Sequence, residues 1–148
     1  MALNQALDRA RVALAARMVG ATQRAFDLTL RYTRERSQFG QQLLRFQALN
    51  FRLAALLTRI DAARLLAYHA AWLIDQGQEF AHAALFAKMQ ASEVYREMAA
   101  EAIQIHGGFG FTAEANPQLF YRRAASDAML LGSATALRER IAGYLDLS

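Results

Sequence analysis

The sequence predicts an all-α fold, an up-down four-helix bundle that takes up residues 1–148 as one domain. Three observations carry this. Four long segments repeat their apolar residues with helical period. Proline and glycine, which punctuate strands and turns, number only one and eight, while the strong helix formers Ala, Leu and Arg dominate. The connections between the segments are short, which makes consecutive helices antiparallel neighbours. A chain of 148 residues also buries roughly two-thirds of its unfolded surface, enough for a real core.

The first helix is expected over residues 4–32, with Asn4 as N-cap and Leu7, Val12, Leu14, Met18, Val19, Phe26 and Leu30 on its apolar face. The second is expected over 41–76, burying Phe46, Leu49, Leu53, Leu56, Leu57, Ile60, Leu65, Leu66, Trp72 and Leu73. Gly77 ends it, because glycine adopts the left-handed C-cap conformation without a steric penalty. The third runs over 79–105 and stops at Gly107-Gly108. The fourth starts at Pro117, whose missing N–H has no partner in a first turn anyway, and continues to the C-terminus with a bend at Gly132-Ser133.

Composition narrows the function. There is no cysteine, which excludes disulfides and thiolate metal sites and makes a reducing cytoplasm the expected compartment. The formal net charge is +4, and every basic residue except Lys88 is arginine. Arginine pairs bidentately with phosphate oxygens, so a phosphorylated ligand fits; a plain compositional bias fits as well. No run of five like charges marks a nucleic-acid arm. No uncharged apolar stretch of 18 residues marks a membrane span, and no apolar core behind a basic start marks a signal peptide. A carboxylate-bridged metal bundle needs two Glu-x-x-His pairs, and only Glu79 with His82 has that spacing, so no metal site is expected. No Ser/His/Asp setting or phosphate-binding glycine loop is present.

Two loop segments stand out. Arg34 to Gly40, followed by Phe46-Gln47, combines guanidinium groups, amides and aromatic rings, a mixture suited to a ligand with phosphate and a flat heterocycle. Gln104-Ile105-His106-Gly107-Gly108 carries paired glycines that let backbone N–H groups approach a ligand closely. Each also reads as an ordinary helix end plus turn.

Together these segments resemble the acyl-CoA dehydrogenase family. RYTRERSQFGQQLLRFQALNFRLA (31–54) resembles its Arg-x-Gln-Phe-Gly segment with the following Phe-Gln; IDAARLLAYHAAWLID (60–75) resembles its Ala-Ala-Arg-Leu helix; AAEAIQIHGGFGFTAE (99–114) resembles its Gln-Ile-x-Gly-Gly-x-Gly loop. The similarity runs from about residue 6 to 141, in family order. It implies the family's C-terminal four-helix domain, without the helical N-terminal domain and small β-domain that precede it there. The chain is then an excised domain, a truncated product or a standalone relative.

The family oxidises the Cα–Cβ bond of an acyl-CoA thioester, with a carboxylate removing the α-proton and FAD accepting the β-hydride. By resemblance, Arg36 meets the FAD pyrophosphate of a neighbouring subunit, Gln38 and Phe39 flank the dinucleotide, Gln47 lies near it, and Gln104, Gly107 and Gly108 meet its adenosine end. Asp8 and Arg11 match positions that contact the acyl-CoA substrate; three apart on one helix, they also read as a plain surface ion pair. The same resemblance implies a homo- or hetero-oligomer and a separate protein, unspecified by these motifs, that reoxidises the flavin.

The departures concern the base. Aligned without gaps, 122–140 places Leu131 where many members carry the catalytic glutamate, followed by Gly132-Ser133, and Arg123 where an aspartate is usual. The alternative base position on the first helix is Ala10. Asp127, one turn before Leu131, is a poor substitute. The Arg-Arg-Ala and Leu-Leu-Gly character of this stretch is closer to heteromeric, steroid side-chain-type members, which pair a competent subunit with a degenerate one. The expected function is an oxidoreductase domain that helps bind FAD and assemble subunits, inactive alone. The alternatives are a flavin-free structural subunit and a helical interaction module.

Overall fold

The computed structural model describes residues 2–112 and 116–145. Of the expected fourth helix, residues 146–148 lie outside the described residues, as do 113–115 of the expected loop after Gly108. The elements in chain order are α1 (Ala2–Glu35), a hairpin of β1 (Ser37–Gln38) and β2 (Gln41–Gln42), a 3-10 turn (Leu43–Arg45), α2 (Gln47–Asp75), α3 (Ala81–His106), a second 3-10 turn (Gly107–Phe111), α4 (Asn116–Met129) and α5 (Ala134–Leu145).

The four-helix plan is present, with α3 at its centre packed against α1, α2, α4 and α5. Side-chain contacts establish the directions. Tyr32 at the end of α1 stacks on His106 at the end of α3, with ring centroids 4.1 Å apart, so these helices run parallel. The short link from α1 into α2 makes α2 antiparallel to both. Lys88, early in α3, reaches the carbonyl of Ala128 late in α4, so α4 runs back down.

Several boundaries differ from the sequence expectation. Helix α1 begins at Ala2, with Asn4 inside it and not capping. Helix α2 begins at Gln47, six residues late, because Phe39 (φ 51°) and Gly40 (φ 80°) turn the chain into a hairpin first. Positive φ at both central residues matches the right-handed twist of hairpin strands. Helix α3 begins at Ala81, whose N–H is accepted by the Glu79 carboxylate at 3.0 Å. The fourth helix is two helices, not one bent helix: Leu131 (φ 59°) and Gly132 (φ 112°) break it, and Ser133 restarts it by accepting the Ala136 N–H at 3.3 Å. Gly77 caps α2 as expected, with φ 66° and bonds from Gly77 N to Ile74 O and from Gln78 N to Leu73 O.

The core differs most on α2. Leu53, Leu56 and Ile60 are buried and Leu49, Leu66 and Leu73 pack half-buried against the core, but the other fully covered positions of α2 are Ala63, Ala67 and Ala70. Helix α2 packs against α1 and α3, and α3 is itself alanine-rich inside, with Ala84, Ala87, Ala91 and Ala99 fully buried. Small residues on both sides let the helices sit close. Three of the bulky residues expected inside face out: Leu65 is 67% exposed, Trp72 51% and Leu57 40%, with Phe51 and Tyr68 exposed beside them. A helix apolar on both faces is built to be covered twice. The isolated chain is therefore expected to self-associate at roughly tens of micromolar, since exposed apolar patches of this kind drive association. A clean monomer in sedimentation at that concentration contradicts it.

Candidate functional site

The chemistry-bearing residues collect at the two ends of the bundle. At the first end, the hairpin leaves α1 and the glycine-rich turn leaves α3. The Tyr32–His106 stack joins them above a cavity of about 200 Å³ lined by Leu28, Arg31, Tyr32, Glu35, His106 and Phe109. Burial lowers the His106 pKa, opposed by its bond to a backbone carbonyl, so the ring is neutral at pH 7. Its Nδ1 meets the Ala102 carbonyl at 2.7 Å, which places the proton on Nδ1.

All seven residues expected at the dinucleotide lie at this end, and all are exposed: Arg36, Gln38, Phe39, Gln47, Gln104, Gly107 and Gly108. None of them lines the cavity beneath the stack. Arg36 makes no ion pair among the described residues. Phe39 is 93% exposed and holds a left-handed backbone that costs a non-glycine residue about 1–2 kcal/mol. Its ring meets only the edge of Phe46, at 6.4 Å. Neither the exposure nor the strain serves the chain's own core.

At the opposite end stands the break between α4 and α5. Asp8 and Arg11 are not a surface pair: they are 4% and 6% exposed and bonded to each other at 2.5 Å. Arg11 Nε also donates to the carbonyl of Leu131 at 2.9 Å. Leu131 is half-buried, Ala10 exposed, and neither position carries a carboxylate. Asp127 is buried one turn earlier and held by Arg17 at 2.5 Å. Beside that pair lies a cavity of about 160 Å³ lined by Arg17, Tyr95, Phe120, Arg123 and Asp127. Burial, and then the charge of Asp127, push the Tyr95 phenol up to about 12, against the fields of Arg123 and Arg17, so it stays neutral.

Sequence reasoning passed over two participants here, Arg17 and Lys88. Lys88 is fully buried, and its ammonium donates to Ser92 Oγ at 2.8 Å, Gly132 O at 3.3 Å and Ala128 O at 3.4 Å. A signal was there: the chain's single lysine sits one helical turn from Ala84 and Ala91, on the face that must pack inward. Arg17 offered none, since an arginine on α1 reads as solvated until its partner on α4 is known. Away from both ends, the Glu79–His82 pair serves the start of α3: Glu79 caps it, and His82 packs edge-on against Tyr144.

Comparison with known proteins agrees with this fold. The family model described as acyl-CoA dehydrogenase, C-terminal domain, matches residues 1–145. A probable acyl-CoA dehydrogenase of Bacillus subtilis is 41% identical over 135 residues, covering 91% of this chain and 35% of its own. The structure of butyryl-CoA dehydrogenase from Megasphaera elsdenii superposes with a TM-score of 0.92 at 33% identity, over 96% of this chain and 37% of that one. That of the Tcur3481-Tcur3483 steroid ACAD does so with 0.94 at 32% identity, over 98% and 40%. The chain thus spans between a third and two-fifths of these relatives' length. Matched over nearly its whole extent in sequence and in fold, it belongs to the acyl-CoA dehydrogenase family and is that family's C-terminal helical domain.

Proposed function

We propose that this domain serves an FAD-dependent acyl-CoA dehydrogenase-type oxidoreductase by contributing to the flavin site and to subunit assembly, without supplying the catalytic base. FAD, when bound, supplies the hydride acceptor. The observation that carries the reading is the exposed set around Arg36 and Phe39, which spends backbone strain to present a guanidinium and an aromatic ring outward. A pyrophosphate suits the unpaired Arg36, which offers it charge-assisted hydrogen bonds. The adjacent Phe39 ring, with Gln38 and Gln47, suits a flat heterocycle. The backbone at Gly107-Gly108, beside Gln104, suits the adenosine end.

The acyl-CoA thioester belongs at the opposite end, beside the Leu131–Gly132 turn that Asp8 and Arg11 support. From Arg11 to Glu35, α1 rises about 36 Å. That is too long for one dinucleotide to touch both ends of the same copy, so the Arg36 end serves a flavin held by another subunit. The outward face of α2, with Leu65 and Trp72, supplies apolar surface for such an assembly.

Arg36→Ala in the complete protein is expected to weaken FAD retention by roughly tenfold or more, the loss of one charge-assisted hydrogen bond worth about 1.5–3 kcal/mol. Flavin content after gel filtration measures it. Unchanged content favours a flavin-free subunit that acts only in assembly.

A further inference from the structure

Lys88 lies on α3, yet two of its three hydrogen-bond acceptors lie in the last turn of α4 and in the break that follows it. The third, Ser92 Oγ, is itself oriented by donating to the Lys88 carbonyl at 2.7 Å. Among the described residues no carboxylate bonds the ammonium. The charged groups whose fields reach it are Asp127 on α4, already held by Arg17 of α1, and Arg11 on α1, already paired with Asp8. Nothing in this arrangement makes Lys88 a source of global stability. A buried ammonium without a bonded counterion costs free energy that an apolar side chain of the same length avoids.

What Lys88 does is local. The last carbonyls of a helix have no intrahelical partner, and a cation at that end is favourable. Here Lys88 takes the carbonyls of Ala128 and Gly132, while Arg11 takes that of Leu131 from the other side. Two cations from two helices thus hold three carbonyls within five residues. Between them the chain makes a turn its own residues do not favour, because Ala-Met-Leu-Leu is good helix sequence and Leu131 pays for its positive φ.

We propose that Lys88 is a positioning residue: from α3 it sets the course of the 128–132 turn and so the direction in which the side chain at position 131 leaves the backbone. What the turn serves rests on the functional reading above; that Lys88 holds it does not, and the test reads the turn itself.

The test is amide hydrogen exchange, residue by residue, on the 148-residue chain and its Lys88→Met variant, which keeps the side chain's length and removes the ammonium. Two carbonyls, one buried and one part-buried, then lose their donor. The amides of residues 130–134 are expected to exchange roughly tenfold faster or more, while those of 94–99 in the middle of α3 stay within about threefold. Unchanged exchange at 130–134, or equal acceleration throughout the core, overturns the proposal. Lys88→Gln gives a second reading should the methionine variant fail to fold: it removes the charge and shortens the side chain while staying polar, so exchange at 130–134 is again expected to rise while 94–99 stays within about threefold. Unchanged exchange at 130–134 in that variant overturns the proposal as well.

Discussion

Replacing Leu131 by glutamate in the complete, flavin-loaded protein is expected to raise α-proton exchange of a bound acyl-CoA by about 100- to 10,000-fold, the range a positioned general base supplies. Leucine has no group that titrates, and Ala10, the other position where the family carries its base, has none either. The backbone already accepts a side chain at φ 59°, so glutamate meets no conformational barrier that leucine has not met. Deuterium wash-in at the α-carbon, with the wild type as reference, measures the effect. A wild type that exchanges rapidly without any partner subunit defeats the degenerate-site reading. Asp127→Asn is then the deciding variant, since Asp127 is the carboxylate one turn before Leu131. Its engagement with Arg17 and its burial argue that the variant leaves exchange unchanged.

Arg11→Ala is expected to destabilise the chain by about 3–5 kcal/mol, the cost of breaking a buried ion pair from one side. Both side chains are almost completely enclosed, so Asp8 keeps a charge with neither its partner nor water, and the Leu131 carbonyl loses its donor. Removing both charges together, as Asp8→Ala with Arg11→Met, is expected to recover most of the loss, because the penalty lies in the orphaned carboxylate. The shift in urea midpoint at constant slope reports both variants. A loss below about 1 kcal/mol for Arg11→Ala places the pair at the surface and contradicts the structure.

The sequence by itself determined the four-helix plan, because helical period, scarce glycine and proline, and the Gly77 cap are local properties of the chain. It also pointed to Arg36, Phe39 and the Gly107-Gly108 turn as unusual, because guanidinium, aromatic and paired-glycine residues in short links stand out against the helical pattern. Which face of α2 turns inward needed the tertiary structure. Periodicity ranks faces by size and apolarity, whereas the packing buries Ala63, Ala67 and Ala70 and leaves Leu65 and Trp72 outside, because α2 must fit against α1 and α3 at once. The break at Leu131 is likewise absent from the local code: leucine favours helix, and Gly132 predicted no more than a bend. It exists because Arg11 and Lys88, 40 or more residues away in the chain, bind the carbonyls that the break exposes. A conformation held by distant charges cannot be read from the residues that adopt it, since their own preferences point the other way and only the surrounding helices bring the compensating donors within reach.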